Sequence, residues 1–298
     1  MQKFKTTKKT PTFLLTFFIW IFSSVIFQNN SYAWNAEGKG YNPPFLVRTH
    51  WDYNRTHAKM TEFALKMSDK FAMDFRAYRL LIANRGDIIA FSNAPDVDDI
   101  GGGLPYCRHF YNPQTHRPIL PCDSNALEQF HHYINVAFEA AKNQQVAEYP
   151  LAKALHFLQD LSMPFHARNV MARPNPGDIF FSGIGHVGYE NDARHKFQNQ
   201  SLTDNFTEEL PIPSGNLHND INGIALELNQ YGYDRFGAVI NSDTRESATK
   251  ELFAKTIMAT AKVIYLFSYY LDGGSVMTGS DEGDYAAIIP IVTNFILN

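Results

Sequence analysis

The sequence predicts an all-α protein built as one compact multi-helix domain, and three observations predict it. Apolar residues recur at three- and four-residue spacing along most of the chain. Alternating runs of β-branched and aromatic residues, the signature of strands, are scarce. Caps, prolines and glycines stand at the ends of the periodic stretches, where helix boundaries need them. With 298 residues, 45% hydrophobic and 14% aromatic, the chain can bury a core of its own. Only 19% of residues are charged, which excludes a mainly disordered chain.

The first element stands apart from the fold. Lys3, Lys5, Lys8 and Lys9 precede an apolar run from Phe13 to Phe27, and small residues Ser31 and Ala33 follow. That is the layout of a secretory signal peptide over residues 1–33, cleaved between Ala33 and Trp34. The competing reading, an uncleaved membrane anchor, needs about 20 apolar residues, more than this run supplies. The expected product is a secreted domain over residues 34–298. Cleavage removes four lysines and no acids, leaving 22 basic against 30 acidic residues, a net charge of −8 rather than −4. So acidic a chain is a poor nucleic-acid binder.

The helices follow in order. Met60, Phe63, Ala64, Met67 and Phe71 form one stripe, and His57 falls on the same face. Asn125 and Glu128 form a capping box that opens a helix through Ala141. Pro150 suits the first turn of a helix running to about Ser162, where Pro164 stops it. Ile221, Ile224, Ala225 and Leu228 mark another. The longest runs from about Asp243 to Leu271 and ends at Gly273-Gly274. Two long loops are expected, at 93–123 and 167–185, and long loops in helical domains are often functional. Cys107 and Cys122 lie in the first. They form a short-range disulfide in an oxidising compartment, or remain two thiols. The apolar tail at 285–297 packs on the domain or lies on a lipid surface.

Eleven histidines are placed tellingly. His156 and Asp160 are four apart on a predicted helix, so both project from one face. His186 and Glu190 repeat that spacing on the next. His166 follows the Pro164 break and is free to turn. His109 and Asp96 bracket the first long loop. Imidazole and carboxylate are natural zinc donors, and several such groups together point to metal where one alone would be a core histidine. His131, His132, His195 and His218 read as surface or capping residues, and His116 as exposed. Asp96-Val97-Asp98-Asp99 fails as a calcium loop at Ile100. Arg85-Gly86-Asp87 is a chance triplet.

The string His156-Phe157-Leu158-Gln159-Asp160 with Pro164-Phe165-His166-Ala167-Arg168-Asn169 closely resembles the signature of bacterial zinc-dependent phospholipases C, including the alpha-toxin catalytic domain. The resemblance covers Trp34 to about Phe197 and weakens beyond. It implies an α-helical domain with three zinc ions. One would take Asp96, His109, His156 and Asp160. A second would take His166, His186 and Glu190. The third would take Trp34, through its free amino group and carbonyl, with a bridging Asp160 and His57, for which His50 is the competing choice in surroundings that fit less well. Asp96 would serve as general base or water orienter. Glu37 and Tyr106 would line the choline pocket, where Val97 replaces an expected aromatic. The implied activity is release of diacylglycerol and phosphocholine from phosphatidylcholine at a membrane surface by a monomer, an activity that would suit a virulence factor. Two alternatives stand. Single-strand-specific zinc nucleases share the fold type, but their first ligand histidine lies within a few residues of the N-terminal tryptophan. Here 23 positions separate Trp34 and His57, and Glu190 stands where those nucleases have aspartate. The other is a non-catalytic lipid-binding protein.

Overall fold

Pro164 sets the geometry of the middle of the chain. A computed structural model describes residues 56–98, 105–119, 122–170, 184–199 and 210–274. The expected signal peptide, Trp34, Glu37, Ile100 and the apolar tail lie outside the described residues. The helices are α1 (Thr56–Ser68), α2 (Arg76–Ile82), α3 (Arg85–Phe91), α4 (Ala94–Asp98), α5 (Ala126–Lys142), α6 (Glu148–Leu161), α7 (Pro164–Ala167), α8 (His186–Asn199), α9 (Leu217–Ile240) and α10 (Arg245–Leu271). A 3₁₀ turn spans Pro105–His109. Among the described residues there is no strand, only an isolated antiparallel bridge between Asn112 and Arg117, as an all-α fold requires. None of the described helices is long and apolar enough to cross a membrane.

Helix α6 is the axis. Every residue from Leu151 to Leu161 is buried, so the helix is surrounded on all sides. It packs against α5, α3 and α9, while α10 covers α9, α1 and α2. The capping box of α5 forms as its residues dictate: the Asn125 side chain accepts from the Glu128 N–H, and Glu128 accepts from the Asn125 N–H. Met163 is extended, as a residue before proline prefers, and Pro164 then occupies the first position of α7. Gly273 and Gly274 end α10 with φ of 81° and 66°. Cys107 and Cys122 are bridged, so the thiol alternative falls.

Three expectations need correction. The segment 93–123 is no uninterrupted loop, because it holds α4 and the 3₁₀ turn. Two helices, α2 and α3, sit where no helix was assigned, and Arg85-Gly86-Asp87 is simply the first turn of α3. The helix through Ile221 is longer than its apolar stripe, running from Leu217 to Ile240.

Candidate metal centre

Burying α6 on all sides creates a problem that the site solves. His156, Gln159 and Asp160 are fully buried polar groups and must find partners. His156 and Asp160, one turn apart, aim at the same point, with His156 Nε2 3.2 Å from Asp160 Oδ2. The break at Pro164 supplies the next group. In an unbroken helix His166 would lie about 240° round the axis from Asp160. Restarting the chain in α7 instead brings His166 Nδ1 within 3.6 Å of Asp160 Oδ1.

His109 arrives from the 3₁₀ turn. The Cys107–Cys122 bridge and the two-point pair of Arg108 with Asp123, at 2.9 and 2.6 Å, hold that turn on either side of its last residues. A disulfide closing so short a loop stabilises by about 3 kcal/mol in the chain-entropy account. His109 Nδ1 lies 2.6 Å from Asp160 Oδ2 and 3.2 Å from His156 Nε2. Asp96, from α4, places Oδ1 3.5 Å from His156 Nε2. From α1, His57 Nε2 stands 3.7 Å from Asp160 Oδ1. On α8, His186 Nε2 and Glu190 Oε1 are 2.9 Å apart, and His186 Nε2 lies 3.1 Å from His166 Nε2.

Three groups of ligand-type atoms result, each within 4.8 Å: Asp96, His109 and His156; His57, His156 and Asp160; His166, His186 and Glu190. All eight residues are buried. The structure therefore brings together every one of the expected ligand residues that it describes. Trp34 and Glu37 lie outside the described residues. Tyr106 falls in the 3₁₀ turn and Val97 in α4, and both of their side chains lie outside the described part.

The electrostatics follow from burying these carboxylates and imidazoles against one another. Burial would raise Asp160, but the charges and hydrogen bonds of His156 and His109 overcome it and hold this carboxyl well below the usual range. Burial pushes Asp96 up to about 7, against the pull of His156 and His109 and with the push of Asp160 and Glu190. Glu190 is raised for the same first reason, burial, with His186 opposing. Burial depresses His166 well below its ordinary value against the pull of Asp160, helped by His186, His109 and His57, so its ring is neutral and its lone pair available.

The donors fit zinc. Asp96 Oδ2, Asp160 Oδ1 and Glu190 Oε2 are buried without a hydrogen-bond partner, a costly state for carboxylates unless a cation neutralises them. Two imidazole nitrogen pairs stand only 3.2 and 3.1 Å apart, His109 with His156 and His166 with His186, which lone pairs tolerate only with a proton or a cation nearby. Outer partners orient the rings. His156 Nδ1 lies 2.7 Å from the Ser92 carbonyl oxygen, and His57 Nδ1 lies 2.7 Å from Gln159 Oε1. Sequence reasoning did not single out Gln159. It stands inside the signature string, but nothing local marks it as a partner of His57, 102 residues away. Asn229 was missed too: fully buried on α9, it donates to the carbonyls of Tyr111 and Leu161, next to the two segments that carry His109 and Asp160.

The fold and the cluster together define a helical protein with a compact three-part histidine–carboxylate centre. Comparison with known proteins gives that class its relatives. A protein named phospholipase C from Paraclostridium bifermentans is 23% identical over 273 residues, covering 85% of this chain and 64% of that protein. Two Bacillus cereus proteins of the same name are 29% identical over 176 and 101 residues, covering 58% and 33% of this chain and 57% and 34% of theirs. The chain thus spans less than two thirds of the length of these relatives. Among solved structures, alpha toxin from Clostridium absonum superposes with a TM-score of 0.57 at 18% identity, covering 76% of this chain and 65% of that one. Alpha-toxin from an avian strain of Clostridium perfringens gives 0.56 at 20%, covering 73% and 65%. No protein-family model matches the chain. At such identities the solved structures speak to the fold, and they agree with the all-α architecture. The sequence relatives, all named phospholipase C, agree with the resemblance read from the signature string.

Proposed function

We propose that the chain is a secreted, zinc-dependent phospholipase C that hydrolyses the glycerol-side phosphodiester of phospholipids, phosphatidylcholine among them, to diacylglycerol and a phosphorylated head group. The observation that carries this reading is the meeting of three buried histidine–carboxylate groups around Asp160, with carboxylate oxygens left unpaired. Asp96, His109, His156 and Asp160 would hold one zinc, and His166, His186 and Glu190 a second. His57 and Asp160, with the amino group and carbonyl of Trp34, would hold a third. Bound zinc supplies an acidified water and positive charge against the phosphodiester. The protein's own residues do the rest. Asp160 serves two groups at once, one oxygen toward His109 and His156 and the other toward His57 and His166. Asp96, buried and with Oδ2 lacking a hydrogen-bond partner, would orient the attacking water and take its proton.

Purified protein beginning at Trp34 is to be assayed on phosphatidylcholine vesicles and on single-stranded DNA, with and without a chelator. Release of phosphocholine, abolished by chelator, is the expected result. Cleavage of DNA alone would assign the chain to the nucleases, and hydrolysis of neither to a lipid-binding role. One extra residue before Trp34 should lower activity sharply, because it blocks the amino group; full activity would exclude that ligand.

A further inference from the structure

Helix α6 carries a third buried polar side chain between His156 and Asp160. Gln159 is fully buried, and its amide turns toward α1. Its Nε2 donates to Thr61 Oγ1 at 3.0 Å, and its Oε1 lies 2.7 Å from His57 Nδ1. His57 and Thr61 are four residues apart on α1, so one face of that helix presents both to one amide. With the amide nitrogen committed to the hydroxyl, its oxygen is left for the ring. His57 Nδ1 then donates its hydrogen to the amide oxygen, and Nε2 is the nitrogen that faces Asp160 Oδ1, at 3.7 Å. The neighbouring ring is handled differently. His156 Nδ1 meets the Ser92 carbonyl, a backbone acceptor that no substitution removes. The rings of His57 and His156 lie 3.9 Å apart at 31°, so each limits how the other tilts.

We propose that Gln159 is a positioning residue: through Thr61 and His57 it fixes the hydrogen on His57 Nδ1 and the plane of that ring, and so sets cation affinity at the His57–Asp160 group alone. The inference rests on the reading that this cluster holds zinc. A glutamine placed one residue before a ligand thereby makes one of the three groups tunable by a side chain. Outer partners of ligand histidines typically change affinity by about 10–100-fold.

Gln159→Met keeps the length and removes the acceptor, and Gln159→Glu keeps an acceptor. Both are titrated with zinc against a competing chelator, and ¹⁵N-imidazole NMR reads the His57 tautomer in zinc-free protein. In Gln159→Met one binding step is expected to weaken about 10–100-fold while the others hold, and the Nδ1–H signature is lost. Gln159→Glu is expected to restore both. Thr61→Val, a milder change, should weaken the same step a few-fold, and it decides the matter if Gln159→Met does not fold. Wild-type affinity at every step, or equal weakening at all of them, overturns the proposal, the latter pointing to packing alone. If the unmodified protein takes up no zinc, the metal reading itself fails. The tautomer spectra then still report whether Gln159 holds the ring: an Nδ1–H signature unchanged in Gln159→Met overturns that too.

Discussion

The two ends of the cluster are held by different forces. At the His57–His156 end, the outer ring nitrogens meet oxygen atoms of Gln159 and Ser92 at 2.7 Å. At the His166–His186 end, rings rest on rings. Phe165 stacks on His186 with centroids 5.4 Å apart and planes 7° apart, Phe110 stands edge-on to His186 at 5.7 Å, and Phe110 lies 4.4 Å from His166. His166 Nδ1 has no hydrogen-bond partner. A hydrogen bond fixes which nitrogen carries the proton, whereas stacking fixes the plane of a ring and does not choose between its nitrogens. The first end is therefore set by hydrogen bonds, and the second is shaped by packing.

Substitutions test that contrast, and the largest effect is expected where the ends meet. Asp160→Asn should lose more than one zinc by elemental analysis and cost at least about 100-fold in activity, beyond the loss typical of an outer partner. Retention of three zincs would contradict the shared role. Gly232→Ala comes next. A Cβ there would stand 2.5 Å from the Ser162 carbonyl oxygen, a backbone atom that cannot give way, at the joint between α6 and α7. About 1–3 kcal/mol of stability should be lost in thermal unfolding, with both ends affected together. Phe165→Leu removes the stacked ring and should cost roughly 1–2 kcal/mol, with weaker zinc binding at the His186 end only. An equal loss at the His57 end would break the contrast. The pH dependence sharpens it further. Asp96, raised to about 7, keeps its proton below that pH, so a cation must expel it. Affinity at that end should fall about tenfold per pH unit below 7 for this one proton and level off above. At the other end His166, held neutral, contributes no such proton, whereas the raised Glu190 can. Calorimetry in two buffers counts the protons, and Asp96→Asn should release fewer. The smallest change is Asn125→Ala, which removes the cap of α5 and should cost about 1 kcal/mol without altering zinc content.

The sequence spoke most clearly where one residue's spacing to the next carries the message. The stripe of α1, the box at Asn125, the stop at Pro164 and the glycines after α10 are local signals, and the structure places boundaries within a few residues of each. Helices α2 and α3 escaped because seven residues give barely two turns, and only Ala83 and Asn84 separate them. Their burial is decided by α10 and α6, not by their own pattern. The same division holds at the centre. His156 with Asp160 and His186 with Glu190 advertise themselves by a spacing of four. Gln159 and Asn229 do not, because each is defined by what it touches across the fold. The hydrogen bonds that order the rings are long-range facts, visible only once α1, α6 and α9 lie side by side.

Asn229 has a consequence for how the chain comes to be finished. Every expected ligand residue precedes residue 191, yet the segment bearing His109 and the end of the helix bearing Asp160 are tied to one another through an amide on α9. Gly232, one turn further, seats that helix directly on the Ser162 carbonyl. A nascent chain stopped before Leu217 would own each ligand and lack the clasp that gathers them. Assembly of the cluster should therefore wait on the docking of α9, although α9 carries none of the expected ligand residues.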